Sequence, residues 1–208
     1  MLGDLASIRP AIRAVKLLFV GPPGAGKGTQ ADRVAERLGI PHISTGDMFR
    51  HHVSHGTDLG LRVDAILEAG DYVPDEITVA MLKERIDQPD AAEGFILDGF
   101  PRTAPQVEAL DGLIGEEGLD TVVVFEVDVD ELTSRLLARG RADDTEETIR
   151  NRFDIYMSQT APLLHIYEAR GIVRRINGLG EIDEITDRIL KSLYQVPSTK
   201  YGAPQERP

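Results

Sequence analysis

Gly21-Pro22-Pro23-Gly24-Ala25-Gly26-Lys27-Gly28-Thr29-Gln30 follows directly on the apolar run Val15-Lys16-Leu17-Leu18-Phe19-Val20. The run reads as a buried strand, and the apolar spacing of Val34, Ala35 and Leu38 beyond the glycines reads as a helix. A strand, a glycine-rich loop and a helix in that order make a phosphate cradle. Glycines let successive backbone N–H groups point at phosphate oxygens, the helix adds the positive end of its dipole, and Lys27 adds a mobile cation. The generic pattern places Ser or Thr directly after the lysine to hold Mg²⁺, whereas Gly28 stands there and Thr29 follows one residue later. The expected ligand is a polyphosphate, with its metal held in some other way.

Composition bounds the rest. The chain has 208 residues, 41% of them hydrophobic, which suffices for one sizeable core. It contains no cysteine, which excludes disulfides and cysteine-ligated zinc. No apolar run approaches the roughly 18 to 20 residues needed to span a bilayer, and the N-terminal stretch lacks a signal-peptide hydrophobic region. A cytoplasmic protein is the plain reading. A net charge of −12 argues against general nucleic-acid binding, which needs clustered Lys and Arg. It also repels anionic nucleotides at long range, so a nucleotide site must concentrate positive charge locally. That makes the arginines the residues to follow.

Apolar, β-rich runs at 16–20, 94–97, 121–127 and 171–176 alternate with helical patterns, and a short strand is expected at His42 and Ile43. The pattern predicts an α/β fold: a doubly wound parallel sheet of about five strands, of the P-loop NTPase kind, with helices on both faces. Gly39 and Pro41 end the first helix, and Pro74-Asp75 opens another that carries Val79, Leu82 and Ile86 on one side. Two segments interrupt the alternation: a Gly-punctuated, largely helical insertion at 44–73 and a short charged excursion at about 138–148. Both are candidate moving parts, with Gly46, Gly56, Gly60, Gly70 and Gly140 as possible hinges. One domain is expected over 15–195, preceded by an extension, 1–14. The tail, 196–208, is rich in Pro, Ser, Gln and Gly and reads as disordered.

Three more motifs stand at strand ends or on these excursions. They are Ser44-Thr45-Gly46-Asp47 with Arg50, Leu97-Asp98-Gly99-Phe100-Pro101-Arg102-Thr103 with Gln106, and Arg139-Gly140-Arg141-Ala142-Asp143-Asp144 with Arg152. With the glycine loop they resemble the adenylate kinases, in order and spacing, from about Lys16 to the helix near Leu190. The resemblance implies reversible phosphoryl transfer from Mg-ATP to AMP, giving two ADP, in a monomer. It implies that ATP lies on Gly24, Ala25, Gly26, Lys27, Gly28 and Thr29. Arg135 would sit near the adenine, Arg139 on the phosphates, and the backbone from Asn177 to Gly180 at the donor base. On the AMP side it implies Thr45, Arg50, the Asp71-Tyr72-Val73 backbone, Gly99, Phe100, Pro101, Arg102 and Gln106, with Arg141 and Arg152 bridging to the transferred group. Lys27, Arg102, Arg139, Arg141 and Arg152 would then be the catalytic set.

The chemistry of those residues suits the assignment. Thr45 and Gln106 can hydrogen-bond a base edge, and the planar guanidinium groups of Arg50 and Arg102 engage phosphate oxygens two at a time. Asp98 ends an apolar strand, where a carboxylate has little structural reason to sit, and is read as orienting Mg²⁺ through water in place of the hydroxyl missing at Gly28. Arg135 and Arg139 leave one face of a predicted helix. Asp143 and Asp144 can neutralise part of the arginine charge in the empty enzyme, and Asp144 with Glu147 reads as a capping pair for the next helix. The excursion is too short for the zinc-binding lid of longer relatives, so no structural zinc is expected. His51, His52 and His55 lack a carboxylate in ligand register and are read as exposed helix residues. Two alternatives remain. A UMP/CMP kinase shares these motifs, but pyrimidine-accepting relatives tend to carry Ala and Asn where Thr45 and Gln106 stand. A non-catalytic ATP-binding switch would have no use for a second phosphate site at Arg50 and Arg102, and the Asn-Lys-x-Asp signature of guanine-selective switches is absent.

Overall fold

The structure is a computed structural model that describes residues 15–141 and 144–194; the extension 1–14, the tail 196–208 and Asp143 lie outside the described residues. In chain order the elements are β1 (Val15–Val20), α1 (Lys27–Leu38), β2 (His42–Ser44), α2 (Thr45–Ser54), α3 (Asp58–Ala69), α4 (Asp75–Ile86) and β3 (Gly94–Asp98). They continue with α5 (Ala104–Ile114), β4 (Thr121–Glu126), α6 (Val129–Arg139), α7 (Glu146–Ile155), α8 (Leu164–Ala169), β5 (Val173–Asn177) and α9 (Ile182–Tyr194). A π-helical turn, Tyr156–Thr160, joins α7 to the segment before α8.

Five strands pair in parallel in the order β2-β3-β1-β4-β5, with Leu17 of β1 opposite Ile96 of β3 on one side and Thr121 of β4 on the other. Because successive side chains point to opposite faces, each central strand feeds two cores. Leu18, Leu97, Val122 and Val124 pack with Leu82, Leu110 and Tyr167 of α4, α5 and α8. Leu17, Phe19, Ile96, Val123 and Phe125 pack with Val34, Leu132 and Ile189 of α1, α6 and α9. This two-sided burial is why the strands read as continuous apolar runs rather than alternating ones. It is the doubly wound arrangement expected of the sequence, and β1 and β3, side by side, open into loops at the same rim, where parallel sheets bind ligands.

Some boundaries shift for local reasons. The last strand starts at Val173 rather than Gly171, because Gly171 has φ +72° and its N–H closes α8 on the Glu168 carbonyl. Two of the hinge candidates, Gly46 and Gly60, lie inside α2 and α3. Gly60 is there to let the two helices meet, since a Cβ on it would stand 2.2 Å from the His52 carbonyl oxygen. Phe49, Val63, Val73 and Met81 form a small third core beneath this helical pair. The cap of α7 is Thr145, whose hydroxyl accepts from the Thr148 N–H, and not Asp144. The arginines around Asp144 take its carboxylate instead.

Candidate active site

The rim above β1 and β3 holds a cleft of about 450 Å³. Its walls include every sequence-predicted site residue except Ala25 and the stretch 177–180. Ala25 is 2% exposed and packs into the core under the loop. Gly180 lies in the stretch after β5, which is held to Arg135 through the Gly178 carbonyl at 3.1 Å and to Arg188 through the carbonyls of Asn177 and Leu179.

The glycine loop is built as the sequence requires. Gly24 has φ +83°, and a Cβ there would approach the Leu132 carbonyl oxygen to 2.7 Å, so both the turn and its packing on α6 demand glycine. Helix α1 begins after Gly26 with no side-chain cap and no acidic residue in its first turn. Its first N–H groups therefore have no acceptor from a capping side chain, which suits an anion. Lys27 folds back over the loop and donates to the carbonyls of Gly21 at 2.8 Å and Pro22 at 3.0 Å. Burial pushes its ammonium down from the ordinary 10.5 to about 8; Asp98 opposes this, while Arg102 and Arg139 add to it.

Asp98 ends β3 beside the loop, and a Cβ on Gly28 would sit 3.6 Å from its Oδ2. Burial raises its pKa, but His42, Lys27 and Arg102 outweigh burial and hold it below the usual carboxylate range. His42 on β2 lies between two carboxylates, with Nδ1 2.7 Å from Asp32 Oδ1 and Nε2 3.8 Å from Asp98 Oδ2. The second separation is an ion-pair distance but too long for a hydrogen bond, and Nε2 is buried without a hydrogen-bond partner. Burial lowers the imidazole pKa, and the two carboxylates more than reverse that. An ionised carboxylate against a glycine in the phosphate loop is a donor set that fits Mg²⁺ held through water. Among the described residues, no group of three or more His, Cys, Asp or Glu side chains is placed to hold a metal directly.

Across the cleft, Thr45 Oγ1 and Arg102 Nε both donate to the Gly99 carbonyl, at 2.9 Å and 2.7 Å. Gln106 is 2% exposed; its oxygen accepts from the Arg102 N–H at 2.7 Å and its nitrogen donates to Asp75 at 2.6 Å. Arg50 pairs with Asp47, which also stands 3.8 Å from Arg141. On the remaining side Asp144, its side chain 1% exposed, receives Arg139 at 2.6 Å and 2.9 Å and Arg152 at 3.1 Å. Burial raises the Asp144 pKa, but the Arg139 contact and the Arg152 charge more than offset it and leave the carboxylate ionised. It occupies the kind of place a phosphate takes among arginines.

Sequence reasoning missed His42, Asp75 and Thr160. Asp75 accepts from both Gln106 and Thr103, and Thr160 bonds Tyr72 and the Arg102 carbonyl. A polar residue opening a buried strand could have signalled His42. Nothing local marks the other two, whose partners are distant in the chain.

Comparison with known proteins agrees with this architecture. Residues 19–172 match the family model described as adenylate kinase. Among curated proteins named adenylate kinase, that of Nocardioides sp. (strain ATCC BAA-499 / JS614) is 53% identical over 191 residues, covering 89% of this chain and 100% of the relative. That of Micrococcus luteus is 49% identical over 199 residues, covering 93% and 97%. That of Mycobacteroides abscessus (strain ATCC 19977 and its equivalents) is 51% identical over 181 residues, covering 86% and 99%. A phosphate loop and a charged second subsite on one parallel sheet, matched along most of the chain by these relatives, establish that the chain belongs to the adenylate kinase family.

Proposed function

We propose that the cleft transfers the γ-phosphoryl group of Mg-ATP to AMP, reversibly, and that two anion subsites on one rim carry this reading. One is the uncapped N-terminus of α1 with Lys27; the other is the arginine-lined wall opposite. The oxygen–phosphorus bond to the γ-phosphorus of ATP breaks as a bond from an AMP phosphate oxygen forms, and ADP results on both sides. No protein nucleophile is needed, because positioning and charge stabilisation dominate phosphoryl transfer.

In this reading Lys27 leaves the carbonyls of Gly21 and Pro22 for the donor phosphates, and Arg139 and Arg152 leave Asp144 for the migrating group. Arg50 and Arg102 hold the acceptor phosphate, Arg141 bridges, and Arg135 borders the donor base with the 177–180 backbone. Thr45 and Gln106, held by Gly99, Arg102 and Asp75, present the acceptor base with a fixed donor and acceptor pattern that favours adenine. Mg²⁺, when bound with ATP, neutralises phosphate charge, and Asp98 would hold its waters. The insertion 44–73 is the acceptor clamp and the excursion at 138–148 a short donor lid. Their closure excludes water, which would otherwise compete with AMP as acceptor.

Product analysis tests this with Mg-ATP and, separately, AMP, CMP, UMP, GMP or no acceptor. The expected outcome is ADP formed from both nucleotides with AMP, far less with the pyrimidine acceptors, and almost none without acceptor. Lys27→Ala should lower the rate by about 10²-fold or more. Acceptor-independent hydrolysis would reject the transferase reading, and equal use of CMP or UMP would reject the specificity.

A further inference from the structure

The end of α3 and the residues after it are fastened to α7 and the π-helical turn by side chains that the phosphoryl-transfer chemistry does not call for. Thr148 Oγ1 donates to the Glu68 carbonyl at 3.1 Å. Asn151 Nδ2 reaches both the Ala69 carbonyl and Asp71 Oδ1, each at 2.9 Å. Between them Gly70, at φ +79°, closes α3, and a Cβ on it would stand 2.8 Å from Thr148 Cγ2, so the two segments touch with no room for a side chain.

Farther along, the Tyr72 hydroxyl lies 2.9 Å from Thr160 Oγ1, which itself donates to the Arg102 carbonyl at 3.0 Å. A threonine has one hydroxyl proton, so Tyr72 is the donor to Thr160. The Tyr72 ring also carries the Arg102 guanidinium, 4.9 Å from its centroid, as a cation over an aromatic face. Thr160 closes the π-helical turn, in which Tyr156 and Thr160 are buried and Met157 and Ser158 exposed.

One short stretch, 68–73, is thus bound at one end to the helix that bears Arg152 and at the other to both the backbone and the side chain of Arg102. We propose that Tyr72, Thr160 and Asn151 are positioning residues that join the acceptor clamp to these two arginines, so that seating the acceptor nucleotide and aligning Arg102 and Arg152 are one event. This rests on the reading of the cleft as an ATP and AMP site. Tyr72 has two separable parts in it: the hydroxyl ties the clamp to Thr160, and the ring supports the guanidinium.

The experiment uses the full chain and the variants Tyr72→Phe, Tyr72→Leu, Thr160→Val and Asn151→Ala. It reads kcat, KM for AMP, KM for ATP, and hydrogen exchange of the amides in 66–74. Tyr72→Phe, Thr160→Val and Asn151→Ala should each raise KM for AMP about 3- to 10-fold, the effect of one partly buried hydrogen bond, and lower kcat about 2-fold as the two arginines lose alignment, with KM for ATP unmoved. Tyr72→Leu should add a fall in kcat of about 3- to 10-fold as Arg102 loses its support, which the phenyl ring of Tyr72→Phe prevents. Amides of 68–73 should exchange faster in all four. Parallel rises in both KM values, or unchanged constants in folded variants, would overturn the proposal. If the unaltered chain shows no AMP-dependent transfer, the functional reading fails by itself, and the exchange rates decide the fastening: faster in the variants upholds it, unchanged defeats it.

Discussion

Lys27 is a half-buried cation folded onto its own loop, with a pKa lowered to about 8. Its folded value lies below its unfolded one, so the unfolded chain binds more protons between about pH 8 and 10.5 and this residue makes stability rise with pH across that window. Substrate affinity runs the other way. Above about pH 8 the ammonium of the free enzyme is increasingly neutral, and KM for ATP should climb, with a proton taken up on binding. Calorimetry in buffers of differing ionisation enthalpy measures that proton, and none taken up at pH 9 would contradict the shift. Asp144 is the counterpart among the anions. Asp144→Asn leaves Arg139 and Arg152 facing each other and should cost the ligand-free protein about 1 to 2 kcal/mol, allowing for the partial exposure of both arginines. Unfolding scans should show a fall of ~2 to 8 °C, largely cancelled when a bisubstrate analogue supplies phosphate oxygens in its place. The residues legible in the sequence are those on contiguous strand-to-loop motifs, Lys27, Asp98 and Arg102 above all. His42 and Asp75 were not, because their roles come from partners on other elements, which spacing along one segment does not encode.

Helix α7 shows how an element can be foreseen and its boundary misplaced. The run Asp143-Asp144-Thr145-Glu146-Glu147 offers two overlapping capping registers, and local chemistry accepts either. Tertiary contacts choose: Arg139 and Arg152 claim Asp144, and Thr145 is left to receive the Thr148 N–H at 3.2 Å. Thr145→Ala should therefore destabilise the protein by about 1 kcal/mol in urea titrations. Asp144→Asn should retain that cap and with it the helicity of α7. A loss of α7 protection in Asp144→Asn equal to that in Thr145→Ala would restore the register expected from sequence. The π-helical turn after α7 lay beyond sequence reasoning altogether, since one added residue per turn leaves no compositional mark.

For the whole molecule, the sheet and its two cores were legible because β1, β3 and β4 are apolar on both faces, a pattern that only helices on either side can satisfy. The sharing of loops at a single rim followed from parallel pairing. Among the described residues, the large exposed hydrophobics, Leu61, Leu137, Met157, Ile182 and Tyr194, are spread over α3, α6, the π-helical turn and both ends of α9. Scattered residues of this kind make no docking patch, and a net charge of −12 disfavours self-association. Light scattering should therefore report one chain of 22.8 kDa across working concentrations, and a dimer mass would reject this. Lys27 already has two carbonyl partners inside its own loop. In the proposed role, its ammonium would exchange phosphate oxygens for these carbonyls as the nucleotide leaves, instead of being stranded in a dry cleft. Unloading would then be a handover, and the loop proposed to grip the nucleotide would also be what lets it go.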